Sequence, residues 1–371
     1  MGKFSGLEER DWLYSLSKIP GVGRKSIHMI YEQWNTISAF IEECRISKNQ
    51  MFPIAEKVRQ LICKQLTPEQ VQKDKSERTK SSFSSITIHD QEYPDMLRQI
   101  PDPPLILYYR GNLAFLHQPI IAIVGSRKPT PYGKDACTVI CKQLAEAGTV
   151  IASGMAYGID AEAHRTALRL KAPTIGVLGC GIDQVYPTIH RPLYREVEDN
   201  GLLLSEYPPG TQPHPGYFPE RNRIISGLAL GVVVVEAAVK SGSLITAQFA
   251  LEQGREVFAV PGPVFSQLSA GPHNLIKEGA KLVTGWNDIY VEISHMIPDA
   301  NQGPLTAEAP VSLTQSESVL LDLIGYSPIH WDELFTTLDV SMRRTIDMDL
   351  IQLEGKGYIA STPGGFYTRR K

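Results

Sequence analysis

Residues 120–154 read IIAIVGSRKPTPYGKDACTVICKQLAEAGTVIASG. Two short β-branched runs, 120–126 and 149–154, flank an amphipathic segment at 133–148 that closes on a glycine. Glycine in that place suits a helix C-terminus, where the backbone turns left-handed. The unit therefore reads strand, helix, strand. The same alternation continues downstream. Further apolar runs are TIGVLGCG (174–181), LLLSEY (202–207), GVVVVEA (231–237) and EVFAVPG (256–262), with helix-like stretches such as SLITAQFALEQG between them. Near-continuous apolar runs belong to strands buried on both faces, which predicts a mostly parallel sheet covered by helices. The predicted fold is α/β, a Rossmann-like doubly wound domain over residues 85–296.

The flanks differ from this centre. Residues 1–75 carry helical patterns such as EERDWLYSLSKI and RKSIHMIYEQW. Within them IPGVGRKSI (19–27) resembles the turn of SAM or helix-hairpin-helix modules, where a Gly-hydrophobic-Gly turn offers amides to a phosphate. A purely structural turn is the competing reading. The polar stretch TPEQVQKDKSERTKSSFSS (67–85) reads as a linker or a solvated helix end. Residues 297–312 are rich in Pro, Ala and polar residues and read as a second linker. Residues 313–371 hold three helical patterns and two β-prone runs around Pro-Gly-Gly, the outline of a winged helix. Arg343 and Arg344 fall at the start of its would-be recognition helix, but Asp347, Asp349 and Glu354 follow on it. That acidity favours a protein contact over a DNA groove.

Composition excludes several classes. The 371 residues suffice for about two or three domains. A hydrophobic fraction of 42% and a charged fraction of 21% are those of a soluble globular chain. The net charge of −3 gives no global basic signal, so a nucleic-acid role needs a local patch. The five cysteines form no C-x-x-C, and Cys137 and Cys141 read as small core residues, as in a reducing compartment. The nine histidines form no H-x-x-x-H, so neither metal nor cofactor is expected. MGKFSGLEERDWLYSL lacks an apolar signal core, and no apolar run is long enough to span a membrane. The expected location is cytoplasmic.

Ligands of α/β sheets bind beyond the carboxyl ends of the strands. Several strand ends here share one chemistry. The first run ends with Gly125, Ser126 and Arg127: a free backbone, a hydroxyl and a guanidinium fork. The second ends with Ser153 and Gly154, with Asp160 and His164 four apart on the next helix, where they read as a helix-face pair. The fifth leads to Lys240, the turn Ser241-Gly242-Ser243, and Thr246 in the first helical turn. Small hydroxyl and glycine residues at a helix start leave N–H groups free for an anion. FPERNRI adds Phe218, Arg221, Asn222 and Arg223. Arg223 is expected to turn toward the protein and pair with an acid such as Glu236. Taken singly each residue has a structural reading; their convergence points to a phosphate-binding edge. No G-x-G-x-x-G and no GxxxxGK[ST] is present, so neither a dinucleotide nor a P-loop nucleotide is expected.

The ordered set GSR (125–127), SG-x-A-x-GIDxxAH (153–164), GxGIDxxYP (179–187), SEYPPG (205–210), FPxRNRIISGL (218–228), SGSLITA (241–247) and FAVPG (258–262) resembles the DNA-processing protein A family, DprA or Smf. The resemblance implies a non-catalytic protein that binds single-stranded DNA, protects incoming DNA and loads the RecA recombinase in natural transformation. It also implies a homodimer formed through the Rossmann-like domain. Carried over by motif, the strand would be held by Ser126, Arg127, Ser153, Gly154, Arg221, Asn222, Lys240 and Ser241 to Ser243, with Phe218 stacking on a base or packing beside Pro219. Tyr157 stands where members usually carry a basic residue, and Lys240 where arginine is frequent. With about four or five phosphates neutralised, the log–log salt slope is expected near roughly −3. An enzymatic alternative is a LOG-like nucleotide phosphoribohydrolase, which such a core also resembles. Its P-G-G-x-G-T-x-x-E turn is absent, with no acid at the corresponding position, and Glu236 with Arg127 would be no more than a relic pair.

Overall fold

The apolar runs become strands because β-branched side chains fit a pleated, doubly covered surface and each run is stopped by glycine, proline or polar turn residues. The computed structural model describes residues 6–46, 52–297, 313–339 and 342–369. In chain order the first nine strands are β1 (Ser84–Thr87), β2 (Ile106–Gly111), β3 (Ile120–Val124), β4 (Val150–Ser153), β5 (Thr174–Leu178), β6 (Leu202–Ser205), β7 (Gly231–Val234), β8 (Glu256–Ala259) and β9 (Lys281–Leu282). They form one nine-stranded sheet in the order β1-β2-β6-β5-β4-β3-β7-β8-β9. The ladders β1–β2 and β2–β6 are antiparallel, and the remaining neighbours are parallel. Strands β3 to β7 are buried along their whole lengths. Strand order reverses at β3: β4, β5 and β6 step to one side, and β7, β8 and β9 to the other. The crevice at such a reversal is where a ligand can enter between the connecting loops.

The helices before the sheet are α1 (Glu9–Ser17), α2 (Arg24–Trp34), α3 (Ile37–Ile46), α4 (Glu56–Gln65) and α5 (Pro68–Thr79). Those within the α/β segment are α6 (Asp95–Arg98), α7 (Pro131–Glu146), α8 (Ile159–Arg169), α9 (Arg191–Asn200), α10 (Tyr217–Leu228), α11 (Gly242–Glu252), α12 (Ala270–Lys277) and α13 (Trp286–Ile293). One core joins α1 to α5 with α8, α9 and one sheet face, through residues such as Trp12, Leu16, Tyr108, Ala161 and Val197. The other face packs Ile224 and Ile225 of α10 and Ala247 and Ala250 of α11 against Val124, Val177 and Val234. The sheet is thus doubly wound.

Of the two readings of the polar stretch 67–85, the helix forms. Thr67 caps α5 by accepting from the Gln70 N–H, and Pro68 occupies its first position. Polar residues hold it in place: Asp11 of α1, buried, accepts from Arg78 at 2.6 Å and Lys75 at 2.8 Å, and Asp74 accepts from Lys18 at 2.6 Å. The helical segment also docks on the sheet. Ser17 Oγ and Tyr108 Oη lie 2.6 Å apart, and the Tyr14 ring meets Tyr108 edge-on at 6.0 Å. The turn in IPGVGRKSI faces this junction. Its Ile19 and Val22 are core residues, and Arg24 pairs with Asp102 at 3.1 Å and Glu206 at 3.6 Å. The structural reading of that turn fits these contacts.

Among the described residues the chain divides into two compact units, one ending at Ile297 and one beginning at Leu313. Apart from Ile297, the expected linker 297–312 lies outside the described residues. The second unit runs α14 (Gln315–Leu323), β10 (Ile329–His330), α15 (Trp331–Thr337), α16 (Ile346–Gly355), β11 (Ile359–Thr362) and β12 (Phe366–Arg369), which is the winged-helix order. Its three strands lie as β10-β12-β11 around a separate core of Leu320, Leu334, Leu350 and Ile359. Arg343 donates to the carbonyls of Leu338 and Thr336, so it stabilises the turn before α16.

Candidate nucleic-acid interface

A cleft of about 560 Å³ opens at the carboxyl ends of β3 and β7. Three segments build it. The turn after β3 brings Gly125, Ser126 and Arg127; α10 brings Phe218, Arg221 and Asn222; the start of α11 brings Lys240, Ser241, Gly242, Ser243 and Thr246. Of the residues expected from sequence, all but Ser153 and Gly154 line this one cleft.

Each segment is held from behind. Gly158, at φ 77°, sits so close to the turn after β3 that a side chain there would strike the Ser126 carbonyl; the Ile159 N–H donates to that same oxygen at 3.1 Å. Ser126 Oγ accepts from the Lys128 N–H at 3.1 Å, which leaves its own hydrogen for another acceptor. Ser241 caps α11: its Oγ accepts from the Ser243 N–H at 3.3 Å and lies 2.8 Å from Ser243 Oγ. Asn222 Nδ2 donates to the Gly242 carbonyl at 3.3 Å, tying α10 to the same turn. Thr246 is only 1% exposed and acts as wall.

The charge is uneven in depth. Arg127 and Lys240 are exposed and form no ion pair among the described residues. Arg221 lies at the bottom, 4% exposed. Its Nη1 donates to the Gly154 carbonyl at 2.7 Å and to the Val177 carbonyl, so it ties together the ends of β4 and β5. Asp160 is its counter-charge and accepts from the Gly154 N–H at 3.1 Å. Burial pushes the Asp160 carboxyl up and the Arg221 guanidinium down from their ordinary values, and their mutual attraction opposes both shifts. Arg221 Nε is buried with no protein acceptor. A buried cation so incompletely paired favours an anion in the cleft above it.

Several expectations change. Ser153 is fully buried, and its hydroxyl donates to the Ile123 carbonyl at 2.6 Å, so it braces β4 against β3 instead of meeting solvent. Gly154 is also buried and turned away: its N–H serves Asp160 and its carbonyl serves Arg221. Arg223 does turn inward, but its partners are Glu206 at 2.6 Å and Asp102 at 3.2 Å, not Glu236. Glu236 instead accepts from the N–H and hydroxyl of Thr130 at the start of α7, at 2.8 and 2.5 Å. Asp160 and His164 form no pair, because His164 Nδ1 bonds Thr174 Oγ1 at 2.7 Å. Sequence reasoning also passed over Tyr186, which lines the cleft with its ring 5.1 Å from that of Phe218. Its YP signal lay in a loop, where no strand end drew attention to it.

Residues 84–294 match the family of DNA recombination-mediator protein A. Protein Smf of Escherichia coli is 41% identical over 289 residues, covering 75% of each chain. The X-ray structure of DNA processing protein A from Streptococcus pneumoniae superposes with a TM-score of 0.67 at 38% identity, over 76% of this chain and 97% of that one. A structure of DNA processing protein A from Helicobacter pylori, described for its single-stranded DNA binding mode, gives 0.53 at 30% identity over 60% of this chain and all (100%) of that one.

Proposed function

This chain belongs to the DNA recombination-mediator protein A family, and from that membership we propose that it binds single-stranded DNA without catalysing a reaction on it. On this reading it protects the incoming strand and loads the RecA recombinase in natural transformation and homologous recombination. The observation that carries the proposal is the cleft's division of labour. Exposed Arg127 and Lys240, with no ion pair among the described residues, line the same cleft as the start of α11. Phosphates would be gripped by these cations and by the Ser126 hydroxyl, since the Ser243 and Leu244 N–H groups at the start of α11 already serve Ser241, while Phe218 and Tyr186 offer faces to bases. Contacts of this kind hold a strand without reading it, so little sequence preference is expected.

The hydrolase alternative has less to stand on. No acid stands at the position of its motif, and Glu236, the relic partner of Arg127 on that reading, is committed to Thr130. The homodimer, the RecA contact and the cytoplasmic location are part of the same proposal. No described helix is long and apolar enough to cross a membrane. In the second unit, α16 exposes Met348 and Ile351, which suits a protein contact better than a DNA groove. The test is a gel-shift titration with fluorescent oligothymidylate against the matching duplex, alongside an assay for base release from AMP. Strong single-strand preference without base release is expected; stoichiometric release of adenine would establish the hydrolase instead.

A further inference from the structure

A second basic hollow lies on the flank of the sheet, away from the cleft's own walls. It encloses about 600 Å³ between α8 and α9 and is lined by Arg165, Arg169, Lys171, Ile189 and His190. Glu196 is the one acid in its wall. Arg165 and Lys171 are exposed, with no ion pair for either side chain among the described residues. Arg169 is partly neutralised, donating to Glu162 at 2.9 Å and to Thr166 at 2.7 Å. Ile189 is 71% exposed, an apolar surface beside unpaired cations.

One residue joins the hollow to the cleft. Tyr157 follows directly on Ala156, which lines the cleft, and is 47% exposed. Its ring stands 5.2 Å from that of His190, which lines the hollow. His190 is fixed in turn by its Nδ1, 3.0 Å from the Met155 carbonyl. A half-exposed tyrosine, packed against a held imidazole, follows a residue of one cationic hollow in sequence and meets a residue of the other with its ring. Cations spaced along a path with aromatic faces between them are what a single strand of nucleic acid requires.

We propose that the bound strand continues from the cleft across Tyr157 into the α8–α9 hollow, where Arg165 and Lys171 take further phosphates. This rests on the single-strand reading above. The test uses the full chain and two oligothymidylates, one of about 6 nucleotides and one of about 20, within and beyond the usual reach of one binding site. Arg165→Gln with Lys171→Gln should leave the short oligomer's affinity within about twofold and weaken the long one by about tenfold or more. Its salt slope should become shallower by roughly 1.4, two contacts at about 0.7 each. Tyr157→Ala should weaken the long oligomer by about tenfold, and Tyr157→Phe should restore it. Thermal melting shows whether each variant is folded, and Arg165→Lys, which keeps the charge, should bind like the parent. Unchanged long-oligomer affinity, or equal loss at both lengths, overturns the proposal. If the unsubstituted protein binds neither oligomer, the single-strand reading itself falls.

Discussion

Arg221 reaches across the floor of the cleft to the carbonyl oxygen of Gly154, 2.7 Å from Nη1. The contact explains both residues. A Cβ on residue 154 would stand 2.5 Å from that same nitrogen, so the glycine is there to admit the guanidinium. Gly154→Ala should therefore displace Arg221 and cost about 1–3 kcal/mol by overpacking. Denaturant unfolding measures the loss; an alanine variant as stable as the parent would show that Arg221 has room elsewhere.

The cleft's arginines should separate by kind of effect. Arg127 is exposed and unpaired, so Arg127→Ala should change stability by less than about 0.5 kcal/mol while weakening single-strand binding. Its log–log salt slope should fall by about 0.7. Arg221→Ala strands the buried Asp160 and two carbonyls, and should cost about 3–5 kcal/mol. Chemical denaturation and a salt titration on both variants distinguish a surface ligand from a buried tie.

Arg223 offers a control on the same helix. It is buried against Glu206 and Asp102, which Arg24 of α2 also engages. Arg223→Ala leaves a nearly buried Glu206 short of a partner and should cost about 3 kcal/mol. Because its contacts lie outside the cleft lining, affinity for a short oligothymidylate, measured well below the melting temperature, should change by less than about twofold.

His164 sets a dependence on acid. Thr174 gives its hydroxyl hydrogen to the Ile151 carbonyl, so the hydroxyl oxygen accepts from Nδ1–H of His164, and Nε2 is left bare and buried. Burial, with Arg221 nearby, pushes its pKa down to about 3. The unfolded chain takes this proton near about 6.5, so folding is undiminished above that pH and loses stability as pH falls toward the folded value. The slope from this one group approaches about 1.4 kcal/mol per pH unit. Stability curves of His164→Gln and the parent should converge as pH falls from 6.5 toward 4; parallel curves would contradict the assignment.

What was readable in the sequence follows from physical range. The unit β3–α7–β4 and the turn before α11 were legible because period, glycine placement and hydroxyl caps are local signals. Doubly buried strands announce themselves by composition, whereas β1, β2 and β9 do not. The last two strands of that set are short or preceded by prolines, and the antiparallel edge is fixed only by pairing. Ser153 was misplaced for a related reason: at a strand's last residue, one position decides whether a hydroxyl faces the cleft or the neighbouring strand. The helix at 68–79 was ambiguous because its anchors, Asp11 and Lys18, lie on a distant element.

We propose that exposed Arg127 and Lys240 grip the phosphates of a single strand in the cleft they line with the start of α11. The most direct test is the affinity of Arg127→Ala/Lys240→Ala for single-stranded oligothymidylate, followed by fluorescence anisotropy across a salt series. The expected double variant is folded with unchanged melting temperature, its affinity reduced by about a hundredfold at low salt and its slope shallower by roughly 1.4. A double variant that binds the strand as tightly and as salt-dependently as the parent would contradict it.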